Sequence, residues 1–185
     1  MIRRDDALVL IRAQNPNPGL LAHGRQTEAV MRALAERLGQ DPELWGLTGL
    51  LHDLDYPATA ESPERHGLAL RELLPPDSLP EEALAAIAAH NDEHTGQAPA
   101  TPFDFALRCA ESVTGIVSAA ALVRPDKMTG LAAKSIKKKM KDKAFAANVR
   151  RANILECDKA GLPLDEFLTL AIAAIAGVAA ETGLA

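Results

Sequence analysis

Three times between residues 41 and 82 a proline is followed directly by glutamate: Asp41-Pro42-Glu43, Ser62-Pro63-Glu64 and Pro80-Glu81-Glu82. Proline is tolerated at the first position of a helix, where its missing N–H costs no bond, and acid in the first turn complements the helix dipole. Asp41 and Ser62 add capping oxygens. A chain punctuated in this way is committed to a series of helices. The helix opened by Asp41 carries Leu44, Leu47, Leu50 and Leu51, spaced for one buried face. Pro57 predicts its end near Tyr56, because proline disfavours helical geometry in the residue before it. The helix opened by Ser62 is expected to reach Leu74, before Pro75-Pro76, and the next to run from Pro80 to Asn91.

The remaining segments follow the same grammar. Asp5 or Asp6 caps a first helix that ends before Asn15-Pro16-Asn17-Pro18, and a long helix spans Gly19 to Leu38 and stops at Gly39. A polar loop is expected over residues 92–102, then a long helix from Phe103 to Val123. Three more are expected over 129–143, 146–160 and 164–182. Aromatic residues make up only 3% of the chain; the apolar load falls on Ala, Leu, Ile and Val, and no stretch alternates convincingly as a strand. The expected fold class is all-α, a compact multi-helix bundle. The 185 residues suit one domain, with a core over about 19–125 and the helices of 126–185 packed on it.

Charge and cysteine usage narrow the setting. A formal net charge of −5 argues against general nucleic-acid binding. Cys109 and Cys157 are too few and too far apart for a disulfide framework, which reads as reduced thiols in a cytoplasmic protein. The amino-terminal run MIRRDDALVLIRAQNPN mixes acids with arginines and has no long apolar stretch, so it does not read as a signal peptide. The uncharged run from Phe167 to Ala180 falls short of the roughly 20 residues that span a bilayer. It reads as a core helix, or as one that leaves room for a homodimer.

All five histidines lie between His23 and His94, each near a helix end or in the adjoining loop. A bundle brings such ends together. In Leu50-Leu51-His52-Asp53-Leu54-Asp55-Tyr56-Pro57 a His-Asp pair directly follows an apolar run. Burying both groups unpartnered would be costly, and a divalent ion removes that cost. Imidazole and carboxylate together suit Mn, Fe, Zn, Co, Ni or Mg, with one or two ions. Plainer readings stand beside this one. His66 also reads as an exposed residue at a helix start, His90 as a structural histidine, and His94 as a solvated loop residue. Glu111 also reads as a helix-surface acid paired with Arg108. Asp55 reads equally as an acceptor orienting a ligating histidine and as a plain turn residue.

The ordered set His23, His52-Asp53, His66, His90 and a late carboxylate resembles the HD superfamily of metal-dependent phosphohydrolases, especially its small bacterial members. The segments LLHDLDYP, PERHGLALRELL, AIAAHNDEHTG and ALRCAESVTGIVSAAALVRPDK carry the resemblance, which covers roughly residues 20–170. It implies that His23, His52 and Asp53 ligate a first metal, that His66 and His90 hold a second, and that Asp53 bridges the two. Asp53, His66 and His90 are accordingly the catalytic candidates. It also implies that Glu111 is the last metal ligand, standing where the family has an aspartate, with an extra methylene that moves the carboxylate oxygens. The implied activity is hydrolysis of a nucleotide or other small phosphate ester by metal-activated water. Two alternatives share the resemblance: a di-iron centre that activates oxygen, and a non-catalytic metal- or nucleotide-binding module, which Glu111 favours.

From Arg124 to Arg151 there are ten Lys and Arg residues against two Asp. Lys134, Lys137, Lys138 and Lys141 share one helix face. This segment reads either as a solvated basic face or as an electrostatic lip drawing phosphate towards the metals, with Lys134, Lys137 and Arg124 as substrate-binding residues. No aromatic residues interleave with the lysines, which weakens an RNA-binding reading.

Overall fold

The computed structural model describes residues 1–185 and is entirely helical. Helix α1 spans Arg4–Ala13, α2 Pro18–Leu38 and α3 Pro42–Leu51. Two short helices follow, α4 (Tyr56–Thr59) and α5 (Leu70–Leu73), then α6 (Glu81–His90) and α7 (Asp92–Thr95). Helix α8 (Pro102–Leu122) precedes α9 (Ala133–Met140), α10 (Arg151–Leu155) with a 3-10 turn over Glu156–Asp158, and α11 (Leu164–Gly177).

Helix α8 is the axis of the bundle. It packs against α2, α3, α6, α9, α10 and α11. Fourteen of its residues are buried, from Phe103 to Ala121. It is also the one helix long and apolar enough to cross a membrane, and most of that stretch lies inside the bundle. Its start is fixed by a capping box: the Thr101 hydroxyl accepts from the Asp104 N–H, while the Asp104 carboxylate accepts from the Thr101 N–H. One continuous cluster of 41 buried apolar residues draws on α1, α2, α3, α6, α8, α9, α10 and α11, so the carboxy-terminal helices share their core with the rest. Cys109 and Cys157 are both free and buried within it.

The contact between α2 and α3 sets up the site. A Cβ on Gly49 would lie 2.9 Å from Met31 Cγ and 3.0 Å from the Thr27 carbonyl oxygen. Glycine there lets the helices approach until His23 on α2 meets His52 at the end of α3. The Asp41 carboxylate caps α3 by accepting from the N–H groups of Glu43 and Leu44.

Several boundaries differ from expectation, each for a physical reason. Helix α1 starts at Arg4, so Asp5 and Asp6 are first-turn acids and Asp6 pairs with Arg3. Helix α3 ends at Leu51, and Pro57 lies in the first turn of α4 instead of terminating the preceding helix. The polar loop after α6 contains α7. The helix expected over 62–74 is reduced to α5 because the N–H groups of Gly67 and Leu70 are taken by the buried Asp55 carboxylate, at 2.9 and 3.0 Å. Gly67 has φ +86°, and a Cβ there would sit 3.0 Å from the Ile87 carbonyl oxygen. Gly67→Ala is therefore expected to cost about 1–3 kcal/mol, read as a lowered urea midpoint with unchanged slope. The last three helices are shorter than expected, and residues 141–150 are irregular.

Candidate metal centre

Four elements deliver the cluster. His23 projects from α2, and His52 caps α3 with Asp53 in the turn behind it. His66 stands in the turn before α5, and His90 is the last residue of α6. The Nε2 atoms of His23 and His52 are 3.1 Å apart, and those of His66 and His90 are 3.0 Å apart. Asp53 sits between the pairs. Its Oδ2 is 3.5 Å from His23 Nε2, and its Oδ1 is 3.4 Å from His52, 3.3 Å from His66 and 3.7 Å from His90. Two overlapping triads result: His23, His52 and Asp53, and Asp53, His66 and His90.

The other ring nitrogens fix which atoms face the cluster. His52 Nδ1 donates to the Gly49 carbonyl at 2.8 Å, and His90 Nδ1 to the Ile87 carbonyl. His66 Nδ1 donates to Asp55 Oδ1 at 2.9 Å. Thr114 spends its hydroxyl proton on the Glu111 carbonyl at 2.6 Å, so its oxygen accepts from His23 Nδ1 at 2.8 Å. Each neutral imidazole therefore carries its proton on Nδ1 and turns the Nε2 lone pair inward. Two facing lone pairs at about hydrogen-bond distance repel unless a positive charge lies among them. The donor set thus fits a divalent cation in each triad, with backbone, hydroxyl and carboxylate acceptors orienting the ligands.

The electrostatics agree. Burial pushes His52 down to about 4 and His90 down to about 3, so both stay neutral, as ligands must. Burial alone would raise Asp53, but the surrounding imidazoles outweigh it and hold the carboxyl well below the usual range. Burial would lower His66, yet hydrogen bonds to Asp53 and Asp55 raise it to about 9.

The cluster opens into a cavity of about 390 Å³. Its walls are mostly polar and include Tyr56, His94, Glu111, Ser112, Asn148 and Arg150. Glu111 lines this cavity but belongs to neither triad. Its carboxylate accepts from the Ser112 hydroxyl and from Asn153 Nδ2 at 3.4 Å, and burial raises its pKa. Arg108 does not pair with it; that guanidinium donates to Asp92 and Glu156.

The structure does not bring the three expected basic residues to the cavity. Lys134 is exposed to solvent, Lys137 pairs with Asp165 at 2.9 Å, and Arg124 donates to the carbonyls of Lys127 and Thr129. Helix α9 buries Ile136 against the bundle, which turns its lysines outward. The basic segment reaches the cavity through Arg150 instead. Arg150 and Asn148 give no sign of this role in the sequence, because the local pattern over 146–160 reads as a helix. The only signal for Thr114 is that it lies one turn beyond Glu111 on α8. Asp55 is the orienting acceptor, not a plain turn residue.

A helical bundle carrying two histidine–aspartate triads on a shared carboxylate is a metal-site scaffold. Residues 20–147 match the HD domain model, well over half the chain, and the protein belongs to the HD domain family. Such a domain is typically a metal-dependent phosphohydrolase. No curated protein and no solved structure shows a significant match.

Proposed function

We propose that this protein is a phosphohydrolase that uses two divalent ions to cleave a small phosphate ester, a nucleotide or similar phosphorylated metabolite. One observation carries the reading: two pairs of imidazole lone pairs converge on opposite sides of Asp53. His23 and His52 would hold one ion, His66 and His90 the other, and Asp53 would bridge them. Bound ions of this kind lower the pKa of water towards neutrality and polarise a phosphoryl oxygen. The chain's own groups supply the rest. Asp55 and Thr114 hold the rings of His66 and His23 in register. Glu111 stands on the wall beside the cluster, where burial raises its carboxyl above the ordinary range and a leaving oxygen would lie within its reach as a proton donor. The polar walls suit a small anionic ligand, and the exposed rings of Tyr56 and His94 on them are available to stack on a base. A cytoplasmic location belongs to the same proposal and is supported by the two free thiols.

The test is metal analysis after mild purification, followed by phosphate release from a panel of esters with added Mn or Co. Stoichiometric metal and turnover are expected. Absence of transition metal, together with no turnover on reconstitution, would end the proposal. Iron with oxygen consumption and no phosphate release would support an oxygenase instead.

A further inference from the structure

Residues 141–150 contain no regular helix, yet Asn148, Val149 and Arg150 form one wall of the cavity. A single side chain organises this loop. Arg151 Nε donates to the Met140 carbonyl at 3.2 Å. Its Nη1 donates to Ala146 at 3.3 Å and Val149 at 3.0 Å, and its Nη2 to Asp142 at 3.0 Å and to Phe145. A guanidinium has five N–H groups, and here each meets a different backbone carbonyl of the loop. The loop has few other ties. Ala144 N–H bonds the Asp142 carboxylate, Lys139 lies over the Phe145 ring, and Val149 fills the space where a Cβ on Gly115 would lie 2.8 Å away. Ala146, whose carbonyl is among the five, has φ +47°, a conformation unfavourable for alanine.

The wall carries a cation for the cavity. Arg150 pairs with Glu93 at 2.9 Å, but both side chains are substantially exposed, at 40% and 65%. Such a pair is weak, and Arg150 can exchange it for a phosphate oxygen, which a guanidinium binds through charge-assisted, bidentate bonds.

We infer that Arg151 is a positioning residue: by clasping five carbonyls of the 140–149 backbone it builds the cavity wall that presents Arg150 to the anionic group of the ligand. The inference rests on the reading of this cavity as a phosphate-ester site and deepens it by naming the groups that receive the phosphate. Arg150 touches the anion, and Arg151 acts only through the loop.

Two measurements on the full chain test it, and the first needs neither metal nor substrate. In Arg151→Met, tryptic cleavage after Lys141 and Lys143 is expected to accelerate about tenfold or more, because a locally opened loop is the cleavable form. Arg151→Lys is expected to lie between this variant and wild type. In the second, inorganic phosphate is titrated into Mn-loaded protein by calorimetry. Arg150→Ala and Arg151→Met are each expected to weaken binding about tenfold at unchanged Mn content, and the double variant no more than either alone. Unchanged proteolysis in Arg151→Met would overturn the clasp. Additive losses, or full phosphate affinity in Arg151→Met, would overturn its action through Arg150. Wild-type protein that binds Mn but no phosphate would overturn the anion site. Phosphate binding with the expected losses, but no ester turnover, would uphold this inference and sink the hydrolase reading.

Discussion

Asp53→Asn is expected to lower kcat/KM by about a thousandfold or more and to reduce the bound metal from two ions to at most one. The carboxylate of Asp53 is the only one within reach of all four imidazoles, and it is common to both triads. The amide keeps its shape but removes the negative charge that offsets two cations. In the proposed two-ion chemistry those cations would supply several kcal/mol of transition-state stabilisation, which converts to a rate loss of that order. The metal-free fold should not suffer, because an amide N–H can donate to one of the inward lone pairs. Metal content and turnover on p-nitrophenyl phosphate check the prediction together. A variant that retains both ions and full turnover would show that the two triads do not depend on a shared carboxylate.

The second large effect concerns stability. Asp55 is completely buried, and its two oxygens accept from His66 Nδ1, Gly67 N–H and Leu70 N–H. Asp55→Ala leaves three donors without partners and is expected to cost about 3–5 kcal/mol. For a chain of this length, that lowers Tm by about 10 °C. Metal affinity should fall about 10- to 100-fold, because His66 loses the acceptor that orients its ring. Asp55→Asn keeps one acceptor oxygen and should fall between. Thermal unfolding of the metal-free protein isolates the structural part, and a metal titration gives the other. A Tm unchanged in Asp55→Ala would mean that the turn before α5 is held by something other than these bonds.

These two aspartates mark where the sequence was legible and where it was not. The His52-Asp53 pair could be read because two polar, ionisable groups after an apolar run have few inexpensive environments. The positions of His23, His66 and His90 at or near helix ends told the same story. Helix starts at Pro42 and Glu81 were legible because caps and first-turn acids act locally. The segment after Ser62 defeated the same logic. Its local pattern is helical, but Asp55, twelve residues before Gly67, takes the backbone donors a helix would use. Residues 141–150 failed for the same kind of reason, since the Arg151 side chain binds carbonyls in place of helix N–H groups. The spacing of Lys134, Lys137 and Lys138 predicts a shared face, but charge pattern alone does not say what that face overlooks. Glu111 shows a further limit: a carboxylate at the matching place in the chain lines the cavity, yet its bonds run to Ser112 and Asn153.

The stacking of Trp45 on Phe103 has a practical corollary. Their ring centroids lie 4.9 Å apart, Trp45 is 5% exposed, and neither ring borders the histidine cavity. Trp45 is the chain's single tryptophan. Its emission therefore reports whether α3 and α8 remain docked, from a position that does not border the histidine cavity. Fluorescence of this one residue can follow denaturation of every variant proposed above in a single optical assay.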